Sequence, residues 1–172
     1  MNIIVTGRVG VGKTTLCEKV VELARSRGYS CGGILTPKAP DEGIIIVDVQ
    51  TGERKPLASI NEIYQGPRTD RYFFNPEAIE FGNKAIDGAV SSDILLVDEV
   101  GHLELRGEGF AKALEIVRAG KVKNSILVIR RKLLPAFLAR LGSEVTTVET
   151  TINNRDRLPQ KIGKLLRLSE IN

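Results

Sequence analysis

Short apolar runs alternate along the chain with stretches in which apolar residues recur at helical spacing. Runs of strand length are "NIIVT", "YSCGGILT", "DILLVDEV", "NSILVIR" and "EVTTVE". After the first run, Leu16, Val20 and Ala24 recur every four residues, which predicts an amphipathic helix. Continuous apolar strands separated by helices are typical of a mostly parallel sheet with helices on both faces. The pattern therefore predicts a three-layer α/β fold.

Four later stretches have helical spacing, and the first begins with a capping Asn75 followed by proline. These helices are predicted in "NPEAIEFGNKAIDGAV", "GEGFAKALEIVRAG", "KLLPAFLARLG" and "NRDRLPQKIGKLLRLSEI". The segment 61–74 carries mixed charges, glycine and proline, and predicts a loop. The stretch "GIIIVDVQTGERKPLA" differs, because two extended runs flank the turn "QTGE". We expect a small antiparallel hairpin inserted at about residues 43–58.

Length and composition predict one ordinary globular domain over residues 1–172. The chain has 172 residues, 42% of them hydrophobic and 27% charged, which is enough for a sizeable core. Apolar runs such as "ILLV" are too short to span a bilayer, and the strand that follows Met1 argues against a secretory signal. Cys17 and Cys31 lack metal-binding spacing, which predicts reduced, buried thiols in a cytoplasmic protein.

The net charge of +4 is unevenly distributed, since residues 121–172 contain eleven Lys or Arg against four Asp or Glu. A basic surplus is compatible with nucleic acid, and equally with a solvated helix face near a triphosphate. Only 5% of the residues are aromatic and none is Trp, which leaves little to stack on bases. The composition therefore argues against a nucleic-acid partner and says nothing about a protein partner.

The most specific motif joins the first strand to the first helix. Its eight residues, "GRVGVGKT", match G-x-x-x-x-G-K-[ST], in which glycines let backbone N–H groups turn towards phosphate oxygens. The helix amino terminus adds unpaired donors. Lys13 is expected to reach the β- and γ-phosphates, and Thr14 to ligate Mg²⁺ through its hydroxyl. The predicted nucleotide-binding residues here are Gly7, Arg8, Val9, Gly10, Val11, Gly12, Lys13, Thr14 and Thr15.

Two adjacent carboxylates end the run "ILLVDE" in the middle of the chain. They are predicted at the carboxyl edge of the sheet, where open α/β sheets bind ligands. Asp98 fits the carboxylate that holds Mg²⁺, and Glu99 is placed to orient and deprotonate an attacking water, which favours hydrolysis. Lys13 and Glu99 are therefore the predicted catalytic residues, and Thr14 and Asp98 the predicted metal ligands.

Phosphoryl transfer leaves charge on the γ-phosphate that a cation can stabilise. Arg130 and Arg131 follow the run "ILVI", and Arg155 follows the last strand. If those strands are parallel, all three arginines lie at the same edge as the acidic pair. His102 is a weaker candidate, because a lone exposed histidine is more often a polar surface residue, and the same holds for its neighbour Glu104.

The chain resembles the THEP-type nucleoside-triphosphatases, a family of small P-loop enzymes, over almost its whole length. The likeness rests on "GRVGVGKTT", "DILLVDEVGHLEL" and "NNRDRLP", with support from "GGILTP" and "TGERKPLA". It implies the P-loop NTPase fold and Mg²⁺-dependent hydrolysis of several nucleoside triphosphates to diphosphate and phosphate, with broad base tolerance. The chain departs from the family at His102, where lysine is frequent, and in a short hairpin region.

The resemblance also implies a second nucleotide-contacting stretch and places Asn154 and Arg155 near the nucleotide. The second stretch comprises Ile94, Leu95, Leu96, Val97, Asp98, Glu99, Val100 and Gly101. Two other functions stay open from the residues alone. A nucleotide or nucleoside kinase would use residues 61–74 in an acceptor site or lid, and a nucleotide-gated adaptor would bind protein or RNA through its basic last third.

Overall fold

The computed structural model describes residues 1–142 and 144–169. Its strands are β1 (Asn2–Gly7), β2 (Cys31–Leu35), β3 (Ile44–Asp48), β4 (Arg54–Ser59), β5 (Phe73–Phe74), β6 (Ile94–Val100), β7 (Ser125–Ile129) and β8 (Val145–Thr150). Its helices are α1 (Lys13–Ser26), α2 (Pro76–Gly88), α3 (His102–Leu105), α4 (Lys112–Arg118), α5 (Leu134–Leu141) and α6 (Leu158–Leu165), and a 3₁₀ turn precedes α5 at Arg131–Leu133.

One sheet contains all eight strands, in the order β5-β4-β3-β2-β6-β7-β1-β8. The five strands β2, β6, β7, β1 and β8 pair in parallel, and β3, β4 and β5 continue the sheet by antiparallel pairing. The predicted mostly parallel α/β sheet is therefore confirmed. Because β7 lies between β1 and β6, the carboxyl ends of these three strands meet side by side at one edge.

Helices cover both faces of the sheet, as the apolar strands predict. Alternate side chains of β1 show the division: Ile4 packs in one core cluster with residues of α2, α4 and α5, whereas Ile3 and Val5 pack in the other with residues of α1 and α6. All three β1 side chains are fully buried. Such burial on two faces requires the unbroken apolar run seen in the sequence.

The antiparallel part is larger than the predicted hairpin. The pair β3 and β4 confirms the hairpin, but Phe73 and Phe74, predicted to lie in a loop, pair with Ser59 and Ala58 as a third antiparallel strand. A strand of two residues is too short to show an alternating pattern, so its pairing depends on the tertiary contacts rather than on a local signal.

The helices differ from their predicted extents in three places. The structure adds α3, a helix of four residues directly after β6 that is too short to have helical periodicity. The helix predicted around "FAKALEIVR" is limited to α4, and the last helix ends at Leu165 although its apolar pattern continues. Arg167 adopts a positive φ of 55°, which is incompatible with a continuing helix. Residues 170–172 of that prediction lie outside the described residues.

Replacing Gly33 with alanine is expected to lower the free energy of unfolding by roughly 3 kcal/mol or more. Gly33 has a φ of 108° and faces Leu96 in the pairing of β2 with β6. A Cβ atom there would overlap the carbonyl oxygen of Leu96. Gly52→Ala is the control, because a Cβ on Gly52 meets no described atom within 4 Å, and only about 1 kcal/mol of backbone strain is expected. Urea unfolding measures both losses of stability, and equal losses for the two variants would contradict the close approach of Gly33 to Leu96.

Candidate active site

The motif of residues 7–14, the predicted phosphate loop, forms the turn from β1 into α1. Gly10 and Gly12 have φ values of 81° and 94°, in the region that favours glycine, and α1 begins directly after them. No side chain in the described part of the chain caps this end of α1. The N–H groups of the first helical turn therefore stay available to an anion, and the helix dipole favours negative charge there.

The Lys13 side chain folds back inside this turn. Its Nζ donates hydrogen bonds to the carbonyl oxygens of Gly7, at 3.2 Å, and Arg8, at 2.7 Å. Burial lowers the pKa of Lys13, and the carboxylates of Glu99 and Asp98 partly oppose that effect. The ammonium group is thus held within the loop, where it can exchange a carbonyl partner for a phosphate oxygen.

Asp98 lies beside Thr14 at the carboxyl end of β6. The Thr14 hydroxyl donates to Asp98 Oδ2 at 2.8 Å, and the N–H of Thr36 approaches the same oxygen at 3.4 Å. Burial, followed by repulsion from the Glu99 carboxylate, raises the pKa of Asp98 to about 7. A buried carboxylate next to a hydroxyl fits a divalent cation, since hard cations prefer such oxygen ligands and would stabilise the ionised form.

Glu99 has a different environment although it is the next residue. Its side chain is 27% exposed and its Oε1 lies 2.7 Å from Nε of Arg130. Arg130 follows β7, and the position of β7 between β1 and β6 brings this guanidinium to the carboxyl end of β6. A partly open carboxylate, oriented by a cation next to the phosphate loop, can accept a proton from water or from another hydroxyl group.

The other two candidate arginines, Arg131 and Arg155, have different partners. Arg131 forms an ion pair with Glu149 of β8 and not with Glu99. Arg155 approaches the loop, where its Nη1 lies 3.4 Å from the Val11 carbonyl oxygen. Asn154 holds the turn that carries Arg155: its side chain accepts the Thr151 N–H at 2.8 Å and donates to the Glu149 carbonyl at 2.9 Å.

Most of the second predicted stretch is core rather than surface. The side chains of Ile94, Leu95, Leu96, Val97 and Val100 are at most 1% exposed. In this strand, only the carboxyl-terminal polar residues present functional groups to the edge. A nucleotide contact by the apolar residues stays a prediction, and their observed contribution is to position Asp98 and Glu99.

His102 and Glu104 differ in burial. His102 is exposed, whereas Glu104 is 5% exposed and accepts the N–H groups of Gly101, at 2.7 Å, and Phe110, at 2.9 Å. Burial raises the pKa of Glu104. Glu104 therefore fixes the loop between β6 and α4. Thr36, which donates to Asp98, was not predicted. The sequence signal that could have identified Thr36 is its position as a polar residue directly after the buried run "GGIL".

A cavity of about 820 Å³ adjoins this site. Its lining includes Val9, Thr36, Glu99 and Arg130, and also the segment 68–74, which ends in the edge strand β5. We call this space the side cavity. The sequence did not predict it, because its walls come from segments far apart in the chain.

A family model described as NTPase matches residues 2–163. The chain belongs to this NTPase family. It is 35% identical over 173 residues to nucleoside-triphosphatase THEP1 of Methanosarcina barkeri, covering 97% of this chain and 98% of the relative. Nucleoside-triphosphatase THEP1 of Methanopyrus kandleri is 34% identical over 168 residues, with 94% and 92% covered. The family predicted from the sequence, and its hydrolase class, are confirmed.

The crystal structure of THEP1 from the hyperthermophile Aquifex aeolicus is similar in fold. It matches with a TM-score of 0.82 at 25% identity, over 96% of this chain and 99% of that one. The similarity extends over nearly the whole of each chain. Among the described residues, no helix is both long enough and apolar enough to cross a membrane.

Proposed function

We propose that the NTPase activity of this chain is Mg²⁺-dependent hydrolysis of nucleoside 5′-triphosphates to diphosphate and phosphate, with broad tolerance of the base. The observation that carries the proposal is the contrast between two adjacent carboxylates. Asp98 is buried against the Thr14 hydroxyl, while Glu99 is partly exposed, pairs with Arg130 and lines the side cavity. One environment suits a cation ligand and the other suits a base.

Binding of the triphosphate is assigned to the turn between β1 and α1. Backbone N–H groups and the Lys13 ammonium would neutralise the phosphate oxygens, and Arg155 would add positive charge above the loop. Thr14 and Asp98 would hold Mg²⁺. When bound, the ion supplies charge neutralisation at the phosphates. All of these groups recognise phosphate rather than the base, which supports broad base tolerance.

Glu99 is assigned the role of general base. Its carboxylate accepts a proton from the attacking water, and Arg130 keeps it oriented towards the space next to the phosphate loop. Once the proton has moved, the loss of the carboxylate charge frees Arg130 to interact with the negative charge on the transferring phosphoryl group. In this proposal, Arg131 takes no part, because its partner is Glu149.

Phosphate release from ATP, GTP, CTP and UTP, with and without Mg²⁺ and with no acceptor present, tests the proposal. Release from all four that depends on Mg²⁺ is expected. Lys13→Met should weaken nucleotide binding about tenfold or more, because the loop loses its buried cation, and Lys19→Met on the exposed face of α1 serves as the control. Release that is unaffected by Mg²⁺ or confined to one base would contradict the proposal.

A cytoplasmic location is part of the proposal. Cys17 and Cys31 are both buried and free within the described residues. Burial raises the pKa of the Cys31 thiol to about 11, which keeps it protonated and unreactive at neutral pH. Two unpaired thiols are typical of proteins from a reducing compartment.

A further inference from the structure

The side cavity is much larger than hydrolysis requires. An attacking water occupies about 30 Å³, whereas the cavity measures about 820 Å³, within the usual range for small-molecule sites. It opens directly onto Glu99 and Arg130, so a molecule bound there would lie next to the proposed base. The space therefore has room for a second substrate beside the nucleoside triphosphate.

Three cations without an ion-pair partner among the described residues line the side cavity. Lys38, Arg68 and Arg71 face it, and none of their side chains forms an ion pair within residues 1–142 and 144–169. Of the acidic lining residues, Glu99 is paired with Arg130 and Glu104 is engaged by two backbone N–H groups. Asp70 is the remaining acidic residue of the lining. One carboxylate against three cations leaves a net positive charge, which favours an anionic ligand.

Apolar and aromatic side chains line the rest of the cavity. Phe73 and Phe74 of β5 are partly buried there, and Leu57 of β4 lies with them in the lining. The Arg71 guanidinium lies 5.4 Å from the centre of the Tyr72 ring, which holds this cation at the wall. A ligand that joins an aromatic ring to an anionic group would use both parts of the lining.

We propose that the side cavity binds a phosphoryl acceptor: an alcohol of nucleoside-monophosphate size that carries a phosphate group and an aromatic ring. The proposal rests on the nucleotide site assigned above. The acceptor's phosphate pairs with Arg68 and Arg71, its ring lies against Phe73 and Phe74, and its hydroxyl faces Glu99. When no acceptor is bound in the side cavity, water is the attacking nucleophile instead.

The acceptor oxygen forms a bond to the γ-phosphorus while the bond from that phosphorus to the β,γ-bridging oxygen breaks. The hydroxyl proton passes to the Glu99 carboxylate and then to solvent. The products are the nucleoside diphosphate and a phosphate ester of the acceptor, and no oxidant or further reactant is needed.

A labelled transfer assay tests the proposal. The full chain is incubated with Mg²⁺, γ-³²P-ATP and a panel of nucleoside 5′- and 3′-monophosphates, and both labelled ester and free phosphate are counted. The expected result is a labelled ester from at least one member of the panel, with a matching fall in free phosphate. Free phosphate without labelled ester from any member at millimolar concentration overturns the acceptor site alone. Absence of both products overturns the proposed hydrolysis as well.

Charge variants locate the acceptor. Arg68→Gln and Arg71→Gln are each expected to raise the KM for the acceptor about tenfold, while phosphate release without acceptor stays within about twofold. Both residues are exposed, and the Arg68 group that bonds to Arg106 is its backbone carbonyl, so folding is not at risk. Arg54→Gln, at the exposed start of β4 and outside the cavity lining, is the control. An equal rise in KM for Arg54→Gln, or no rise in the two cavity variants, contradicts the assignment.

Discussion

Replacing Glu99 with glutamine is expected to lower turnover of nucleoside triphosphates about 100-fold or more, with nucleotide affinity nearly unchanged. The amide keeps the size of the side chain and can still accept a hydrogen bond from Arg130, so the site keeps its shape. It cannot accept a proton from water, and general-base catalysis typically contributes 10²- to 10⁴-fold. Single-turnover hydrolysis and equilibrium nucleotide binding measure the two quantities separately.

Glu149→Gln is the matched control for this result. Glu149 also pairs with an arginine at the carboxyl edge of the sheet, in this case Arg131, but it lies on β8 away from Glu99. The control should keep turnover within about twofold, because a surface ion pair contributes little by itself. Unchanged turnover in Glu99→Gln would remove Glu99 from the reaction.

Replacing Asp98 with asparagine is expected to stabilise the metal-free protein while abolishing its response to Mg²⁺. Asparagine can still accept the Thr14 hydroxyl, but it carries no charge that burial would oppose. Because the pKa of Asp98 is raised to about 7, ionising it costs the folded state as much as about 4 kcal/mol, at roughly 1.4 kcal/mol per pKa unit.

The sign of the pH dependence follows from the raised pKa. Between pH 4 and pH 7 the folded protein holds a proton that the unfolded chain releases, so this contribution is full below pH 4 and is lost as pH rises through about 7. The Asp98→Asn variant lacks this loss. Its Tm in EDTA should therefore exceed that of the wild-type protein by about 5 °C or more at pH 8, with a smaller difference at pH 5.

Mg²⁺ should reverse this order of stability, so that the wild-type protein becomes more stable than Asp98→Asn. The ion stabilises the wild-type protein by binding its folded state, in proportion to the logarithm of the Mg²⁺ concentration, and the variant lacks the charged ligand.

Asp93→Asn is the matched control at the other end of β6. Backbone and side-chain hydrogen bonds from Ser30 lower the pKa of Asp93, so that variant should be less stable than the wild-type protein at pH 8. Equal Mg²⁺ stabilisation of wild type and Asp98→Asn would contradict the metal assignment.

Local patterns predicted the parallel part of the fold because each element carries its own signal. The run from Ile3 to Val5 is apolar at every position, as burial on both faces requires, and α1 follows with helical periodicity. The phosphate loop was equally predictable from the sequence, because its eight residues are consecutive and their position depends only on β1 and α1. The strand at Phe73–Phe74 had no such signal, because two residues cannot show a period.

A phosphate-loop motif, two adjacent carboxylates at the end of a buried run and several arginines at strand ends can be recognised in the sequence alone. How these groups pair with one another depends on the tertiary structure. The strand order places β7 between β1 and β6, so Arg130 contacts Glu99 while its neighbour Arg131 contacts Glu149. Burial raises the pKa of Asp98 but leaves Glu99 open to the side cavity. These outcomes depend on which distant segments exclude water from each group, and no stretch of sequence encodes that locally.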